Sequence, residues 1–358
     1  MKRKPALVAC VLALSLTSCL HPKVGPQSLP RDRGLYSTGI ADSWKQLMLL
    51  NIVKTRYLDP PFFVDIGNIV ASYTVTQSAS ASGAITPWNS DSGAGLGVLG
   101  TFSNTPTITY TPLTGSKFVQ GLTTPLPPAA VFSAIQNGAA ADSIMLSAVF
   151  SINGLKNQQA TLSGITPADP DFDRVRMLMR RIQLSGGVRT FVRQDPNKGP
   201  ATVIALRNED LAPEIREDSR ELRRLLKLNP DATEFSLVYA PVSSSDTEIA
   251  VLTRSIFSLI QNMAAQVEVP DEDLARHRAF PGFEPGGNIP DSGRLIRIHS
   301  GKQRPGDAFA AVNYRGAWFW IDDGDLQSKQ VFGQLLLLFT MMDTSPRENQ
   351  PVITIPSR

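Results

Sequence analysis

Apolar and polar positions change period several times along this chain, and each change marks an element. An apolar run from Ala6 to Leu16 follows Met1-Lys2-Arg3-Lys4 and closes on Leu16-Thr17-Ser18-Cys19. Residues 20–40 hold Pro22, Gly25, Pro26, Pro30, Gly34 and Gly39 and read as a tether. Trp44, Leu47, Met48, Val53 and Tyr57 then recur at helical spacing, which predicts a helix over 41–57, capped by Asp42 and stopped by Asp59-Pro60-Pro61. Helical patterns return near 127–137, after Asp169-Pro170 with Phe172, Val175, Met179 and Ile182 as the buried stripe, and at 214–228, near 247–266 and at 326–342. Strands are predicted at 144–152, near 188–193, at 201–207, 233–240 and 294–299, in a hairpin Phe309–Asp322 turning at Arg315-Gly316, and at Val352–Ile355. The Pro/Gly-rich stretch 270–293 reads as a flexible loop. Helices and strands interleave without a regular βαβ period, so the expected class is α+β.

One pattern differs from all the others. Ser72, Thr74, Thr76, Ser78, Ser80 and Ser82 take every even position of one run, and Thr101, Ser103, Thr105, Thr107, Thr109 and Thr111 every odd position of a second. Tyr73, Val75, Gln77, Ala79 and Ala81 fill the gaps in the first run, and Leu96, Val98, Phe102, Ile108 and Tyr110 lie on the other parity of the second. Because side chains alternate faces in a strand, each run has one hydroxyl face and one largely apolar face. This predicts a long antiparallel hairpin over about 69–111, turning within Asn89-Ser90-Asp91-Ser92-Gly93. With paired numbers summing to 183, Tyr73 meets Tyr110, Thr74 meets Thr109 and Ser82 meets Thr101; shifts by two residues keep the same faces. Runs of about thirteen residues exceed the ~9–11 that a tilted membrane strand needs. Tyr73 and Tyr110 at one end and Trp88 near the other suit interfacial aromatic belts. Two readings stay open: a solvated Ser/Thr-rich sheet, or a hairpin given to a shared barrel, since one hairpin cannot close in lipid. Gln77, Asn104 and Pro106 on the face that would meet lipid weigh against the barrel.

The N-terminus has the order of a secretory signal, too short to span a bilayer. Leu16-Thr17-Ser18-Cys19 matches the lipobox of bacterial lipoproteins, which implies cleavage before Cys19, lipid on its sulfur and a membrane as partner. Several acyl chains hold a protein stably where one does not. Leu20 rather than Asp after that cysteine points, by the same resemblance, to the outer membrane of a two-membrane cell. The expected organisation is signal 1–18, lipidated tether 19–40, a helix-plus-hairpin domain 41–165 and an α+β domain 166–358.

Processing changes the charge. The net +3 comes from 35 basic against 32 acidic residues, and losing Lys2, Arg3 and Lys4 leaves 32 against 32. A neutral mature chain argues against nucleic acid as a partner. The two cysteines are Cys10, inside the apolar run, and Cys19, so thiolate catalysis and disulfides are not expected after processing.

Candidate chemistry is thin, and no cofactor is expected. Gly95-Leu96-Gly97-Val98-Leu99-Gly100 matches a dinucleotide fingerprint in letters only, because a β run rather than a helix follows it. Asp322, Asp323 and Asp325 lack the twelve-residue calcium pattern, and helix capping before Leu326 explains them better. Arg174, Arg176, Arg180 and Arg181 read as a solvated helix face rather than an anion site. His299-Ser300 ends a strand, and no Gly-x-Ser-x-Gly surrounds any serine.

Leu49-Leu50-Asn51-Ile52-Val53-Lys54-Thr55-Arg56-Tyr57 with Asp59-Pro60-Pro61, Pro106-Thr107-Ile108-Thr109-Tyr110-Thr111-Pro112-Leu113, Ser151-Ile152-Asn153-Gly154-Leu155, Trp318-Phe319-Trp320-Ile321-Asp322-Asp323 and Pro351-Val352-Ile353-Thr354-Ile355-Pro356 resemble a family of bacterial lipoproteins of unknown function. The resemblance implies a lipid-anchored envelope protein and transfers no catalytic residue. The expected function is a non-enzymatic outer-membrane lipoprotein, a structural or assembly component, for which a homo-oligomeric β-barrel channel built through a donated hairpin is one of the two readings left open by the β pattern. The alternative is an envelope hydrolase whose catalytic residues the sequence does not identify.

Overall fold

The computed structural model describes residues 29–70, 73–84, 93–104, 107–162, 164–195, 199–207, 211–281 and 294–342. Cys19 and the rest of the export signal, Ser72, Thr105, the turn residues Asn89 to Ser92, Trp88 and the strand expected at Val352–Ile355 lie outside them. Helices and several sheets together make the fold mixed α+β. Two compact units divide the chain: the first holds Val64–Pro112 and the residues up to Ser43, the second Trp44–Phe63 and the residues from Leu113.

Helix α1, Leu29–Arg56, is longer than its apolar stripe predicts. Pro30 falls in its first turn, where a missing N–H and a fixed φ are tolerated. Residues 29–40 are therefore helix and not tether, and Asp42 lies inside the helix rather than at its cap. The helix closes with Asp59 N–H on Lys54 O at 2.9 Å, and Leu58 turns left-handed at φ 63° before the two prolines.

The first unit carries a nested β-ribbon. Strand β2, Tyr73–Ala84, pairs antiparallel with β3, Gly93–Asn104, and β1, Phe63–Val70, forms a second two-stranded sheet with β4, Thr107–Leu113. The register joins Tyr73 to Asn104, Thr76 to Thr101 and Ala84 to Gly93. This corrects the expected pairing in two ways. Tyr73 and Thr74 do not meet Tyr110 and Thr109, because Thr107, Thr109 and Thr111 belong to β4 and lie against β1. The register is also shifted, by an even number of residues, so the parity that separates hydroxyl from apolar positions is kept. Gly93, expected in the turn, is the first residue of β3.

The second unit has two cores. A six-stranded sheet runs in the order β6-β5-β12-β11-β10-β9, where β5 is Val149–Ile152, β6 Leu155–Lys156, β9 Val188–Asp195, β10 Gly199–Leu206, β11 Glu234–Val238 and β12 Glu248–Thr253. Only the β11–β12 pair is parallel. Helices α3 (Pro128–Gln136), α4 (Ala141–Ala148), α5 (Pro170–Leu184) and α6 (Pro213–Leu225) pack on it through Phe132, Met145, Phe172, Val175 and Leu222. Strands β5 and β6 precede residue 166 and the rest follow it, so the boundary expected there falls inside one sheet. Strands β7 (Gln159–Thr161) and β8 (Gly164–Thr166) make a small hairpin.

The other core joins the C-terminal half of α1 to helices α2 (Ser116–Thr123) and α7 (Ile256–Ala265), strands β13 (His299–Gly301), β14 (Ala308–Tyr314) and β15 (Ala317–Asp322), and helix α9 (Leu326–Met342). Helix α8, Asp271–Ala275, begins the stretch expected to be loop. Three sequence assignments need correction. Residues 144–148 are helical and only 149–152 are strand, 247–266 is a strand followed by a helix, and 294–297 is irregular before β13.

Candidate functional site: the ribbon and its root

The ribbon's register brings Thr74 opposite Ser103 and Thr76 opposite Thr101, while Ser80 and Ser82 lie opposite Gly97 and Gly95. Ser78 meets Leu99, the one large apolar residue among these positions. Gly95, Gly97 and Gly100 are thus strand residues, and no helix follows them to receive a pyrophosphate. Thr107 to Pro112 of β4 are all exposed, Tyr110 at 60 %. Among the described residues neither β2 nor β3 has a second strand neighbour. A sheet of two strands is marginal alone in water.

One edge of the six-stranded sheet is handled differently. Strand β9 closes the six-stranded sheet and carries Arg189 and Arg193. The two arginines lie 5.6 and 5.7 Å from the Phe191 ring, and Arg193 pairs with Glu234. The Thr190 N–H, pointing out of the sheet, donates to Gln136 Oε1 at 2.9 Å. Charges and a side-chain cap block further pairing there. Between Asp65 and Lys117, by contrast, the only charged residue is Asp91.

In the second unit the residues at the ribbon's root are firmly held. Asn51 in α1 clamps the Phe62 backbone in both directions, Nδ2 donating to Phe62 O at 2.9 Å and Oδ1 accepting the Phe62 N–H at 2.8 Å. Phe63, the first residue of β1, is 2 % exposed, stacks on Phe339 at 4.7 Å and meets Phe118 edge-on at 5.8 Å. Leu113, the last of β4, packs on the same core. The polar residues that follow in the 49–61 stretch are fasteners. Arg56 donates to Phe280 O at 2.8 Å, and the Tyr57 hydroxyl to Asp273 at 2.7 Å. Asp59 accepts from the Tyr314 hydroxyl and from Arg315. Burial, with the Asp273 contact, pushes the Tyr57 phenol far up, so it stays a donor at any physiological pH.

The remaining polar clusters are structural too. Arg174 pairs with Glu221, Arg181 with Asp218, Arg180 with Asp142 and Arg176, itself buried, with Asp173. Arg174 and Arg181 are exposed, as a solvated face requires, and Arg180 is half-exposed, while Arg176 departs from that expectation; all four make ion pairs, two of them to α6. Asp325 caps α9 by accepting the Ser328 N–H at 3.0 Å, and Asp323 pairs with Lys329. A cleft of about 140 Å³ beside this cap is lined by Arg294, Arg297 and Ser328, whose hydroxyl already bridges the Arg297 N–H and Asp325. Among the described residues no group of three or more His, Cys, Asp or Glu side chains is placed to hold a metal.

His299 begins β13 opposite Trp320 and lies between two carboxylates that no local pattern announced. Its Nδ1 is 3.1 Å from Glu268 and its Nε2 3.3 Å from Asp322, which also accepts the Trp320 indole N–H. The Glu268 hydrogen bond raises the imidazole pKa against the opposing effect of burial, with the charges of Glu268 and Asp322 adding to it. Burial acts to raise the Glu268 pKa, but the bond and charge of His299 outweigh it and the net shift is downward. A ring set between two carboxylates in this way acts as a strut between β13, β15 and the segment that carries Glu268. A raised histidine pKa stabilises fully below the unfolded value, and that gain is lost as pH rises through the folded one. A lowered carboxylate pKa stabilises above its unfolded value, and that gain is lost as pH falls through the folded one. The pair is therefore strongest between about pH 4.5 and 6.5. His299→Gln is expected to destabilise more at about pH 5.5 than at about pH 8.5, by under ~1 kcal/mol because both carboxylates are well exposed. Denaturant midpoints at the two pH values check this, and equal losses would refute it.

No protein-family model matches the chain, and no curated protein or solved structure shows significant similarity to it.

Proposed function

We propose that this chain is a structural lipoprotein of the bacterial outer membrane, held by acyl chains on Cys19, whose ribbon is donated to a β-barrel shared among several copies. The observation that carries this reading is the contrast between two sheet edges in one molecule. Strand β9 is guarded by charge and by Gln136, whereas β2 and β3, which among the described residues pair only with each other, carry no charged residue and show the period-two alternation of a strand between lipid and water. Edges of this kind are satisfied in a membrane only by closure, and one ribbon cannot close. Copies of the same ribbon, added edge to edge, can. The motifs quoted above resemble those of envelope lipoproteins, and the Leu16-Thr17-Ser18-Cys19 lipobox with Leu20 supports the address.

The anchor and the assembly are tested together. Cys19→Ala is expected to abolish acylation and release the protein from the membrane fraction. Wild-type protein should fractionate with the outer membrane and leave mild detergent as a ring of fixed stoichiometry. Unchanged membrane retention of Cys19→Ala would overturn the lipid anchor. A strictly monomeric extract would overturn the shared barrel.

A further inference from the structure

We infer, resting on the barrel reading above, that the passage the ribbons enclose is lined without charge and admits neutral, hydroxyl-rich solutes such as oligosaccharides, with little discrimination between small cations and anions. A face meeting lipid excludes charge, but the opposite face meets water and accepts Lys, Arg, Asp or Glu at every second position. Here none of those positions is charged. Thr74, Thr76, Ser78, Ser80 and Ser82 of β2 face, in register, Ser103, Thr101, Leu99, Gly97 and Gly95 of β3. The chain as a whole is 19 % charged, so the gap is not a property of its composition.

Solvation alone does not explain this choice. A soluble sheet of such length would gain from charges, which block edge pairing, as β9 shows in the same chain. In a ring, each lining residue is repeated in every copy, so a single acid or base per chain would create a charged girdle. Such girdles are the usual source of ion selectivity in pores. Apart from Leu99 and the glycines, the lining is of hydroxyls, which both donate and accept. Those groups exchange hydrogen bonds with water and with sugar hydroxyls on equal terms, and attract neither sign of ion.

The experiment uses full-length lipidated protein in planar phospholipid bilayers under a KCl gradient. The expected wild-type result is a potassium-to-chloride permeability ratio within about twofold of unity. Ser78→Asp should move that ratio toward potassium and Ser78→Lys toward chloride, each by roughly tenfold or more, because the new charge is repeated around the ring. Where either variant fails to assemble, Thr101→Asp makes the same test from the partner strand. In liposome swelling, a neutral trisaccharide should enter faster than a trisaccharide of similar size bearing acidic sugars. Conductance with strong ion selectivity in the wild type would overturn the uncharged lining while leaving the barrel in place. No conductance from a correctly inserted sample would overturn both.

Discussion

Arg254→Ala is expected to destabilise the second unit by about 3–5 kcal/mol, among the largest losses any single substitution in this chain would produce. Arg254 follows β12 directly and is 3 % exposed. Its Nη1 donates to Leu146 O and Ser147 O, both at 3.0 Å, and its Nη2 to Gln158 O. Its backbone N–H donates to Ala148 O at 2.8 Å, and its carbonyl accepts from Leu126 at 3.1 Å. One residue thus satisfies the last carbonyls of α4, where a helix presents its negative end, and ties them to the 157–158 turn. Alanine would strip the guanidinium bonds from Ser147 O and Gln158 O, leave Leu146 O to the Asn157 amide alone, and open a cavity beside them. Arg254→Lys should recover only part of the loss, since an ammonium cannot span the carbonyls that a planar guanidinium reaches. Burial lowers the Arg254 pKa to about 10, so the side chain stays charged at neutral pH. Because the unfolded chain holds that proton to higher pH, native stability gains from this group only above about pH 10, and the loss on mutation should be flat across the physiological range. Urea midpoints with an unchanged slope would measure it. A loss below about 1 kcal/mol would mean that other donors replace the guanidinium.

The same residue shows why part of the fold was hidden from sequence. The apolar run 247–266 reads as one helix because nothing in its period announces a break at Arg254. The break lies in Ser255, which caps α7 by accepting the Ser258 N–H at 3.1 Å, and in the β-branched Ile249, Val251 and Thr253 before it. Residues 144–148 failed for the opposite reason. Ile144 through Ala148 are all buried, so α4 shows no amphipathic stripe there, and the Ser147 hydroxyl returns to Ser143 O and Ile144 O within the helix. Where local chemistry is explicit, reading was direct. Arg315 and Gly316 adopt φ of 51° and 86° in the β14–β15 turn, and Pro170 opens α5 behind Asp169.

Long-range partners were beyond reach in kind, not in degree. Alternation reports which positions share a face and says nothing of which strand lies alongside. Parity in the ribbon was therefore readable, while the register was not. The arrival of β1 beside β4 claims Thr107, Thr109 and Thr111 and moves the β2–β3 pairing with it. The clamp of Asn51 on Phe62 and the bonds of Tyr57 and Asp59 follow the same rule. Their residue types were visible as a motif, but their partners lie as far away as Asp273 and Arg315. His299 likewise gives no sign in sequence of Glu268, 31 residues before it.

The ribbon offers the second large effect. In assembled membranes, arginine in place of Val75 or Ala79 is expected to cost about 2–4 kcal/mol near the bilayer midplane, whereas arginine at Thr76 or Ser78 should be tolerated and alter conductance. Depth separates this from a solvated sheet, in which tolerance would follow packing and conductance would be nil. Cysteine scanning is clean, because the chain's own cysteines are Cys10 and Cys19 and the proposed processing removes the first and acylates the second. Water-soluble thiol reagents should label even positions from 74 to 82 and odd positions from 95 to 103, and label their neighbours poorly. The register makes a sharper demand. Thr76→Cys with Thr101→Cys should oxidise to a disulfide within one chain, since those residues are paired. Ser82→Cys with Thr101→Cys should not, because Ser78 and Ser80 lie on the same face between Ser82 and Thr76, the residue opposite Thr101. Equal labelling of both faces in intact membranes would remove lipid from one side of the ribbon, and with it the barrel. The reverse disulfide pattern would instead leave the barrel standing on the wrong register.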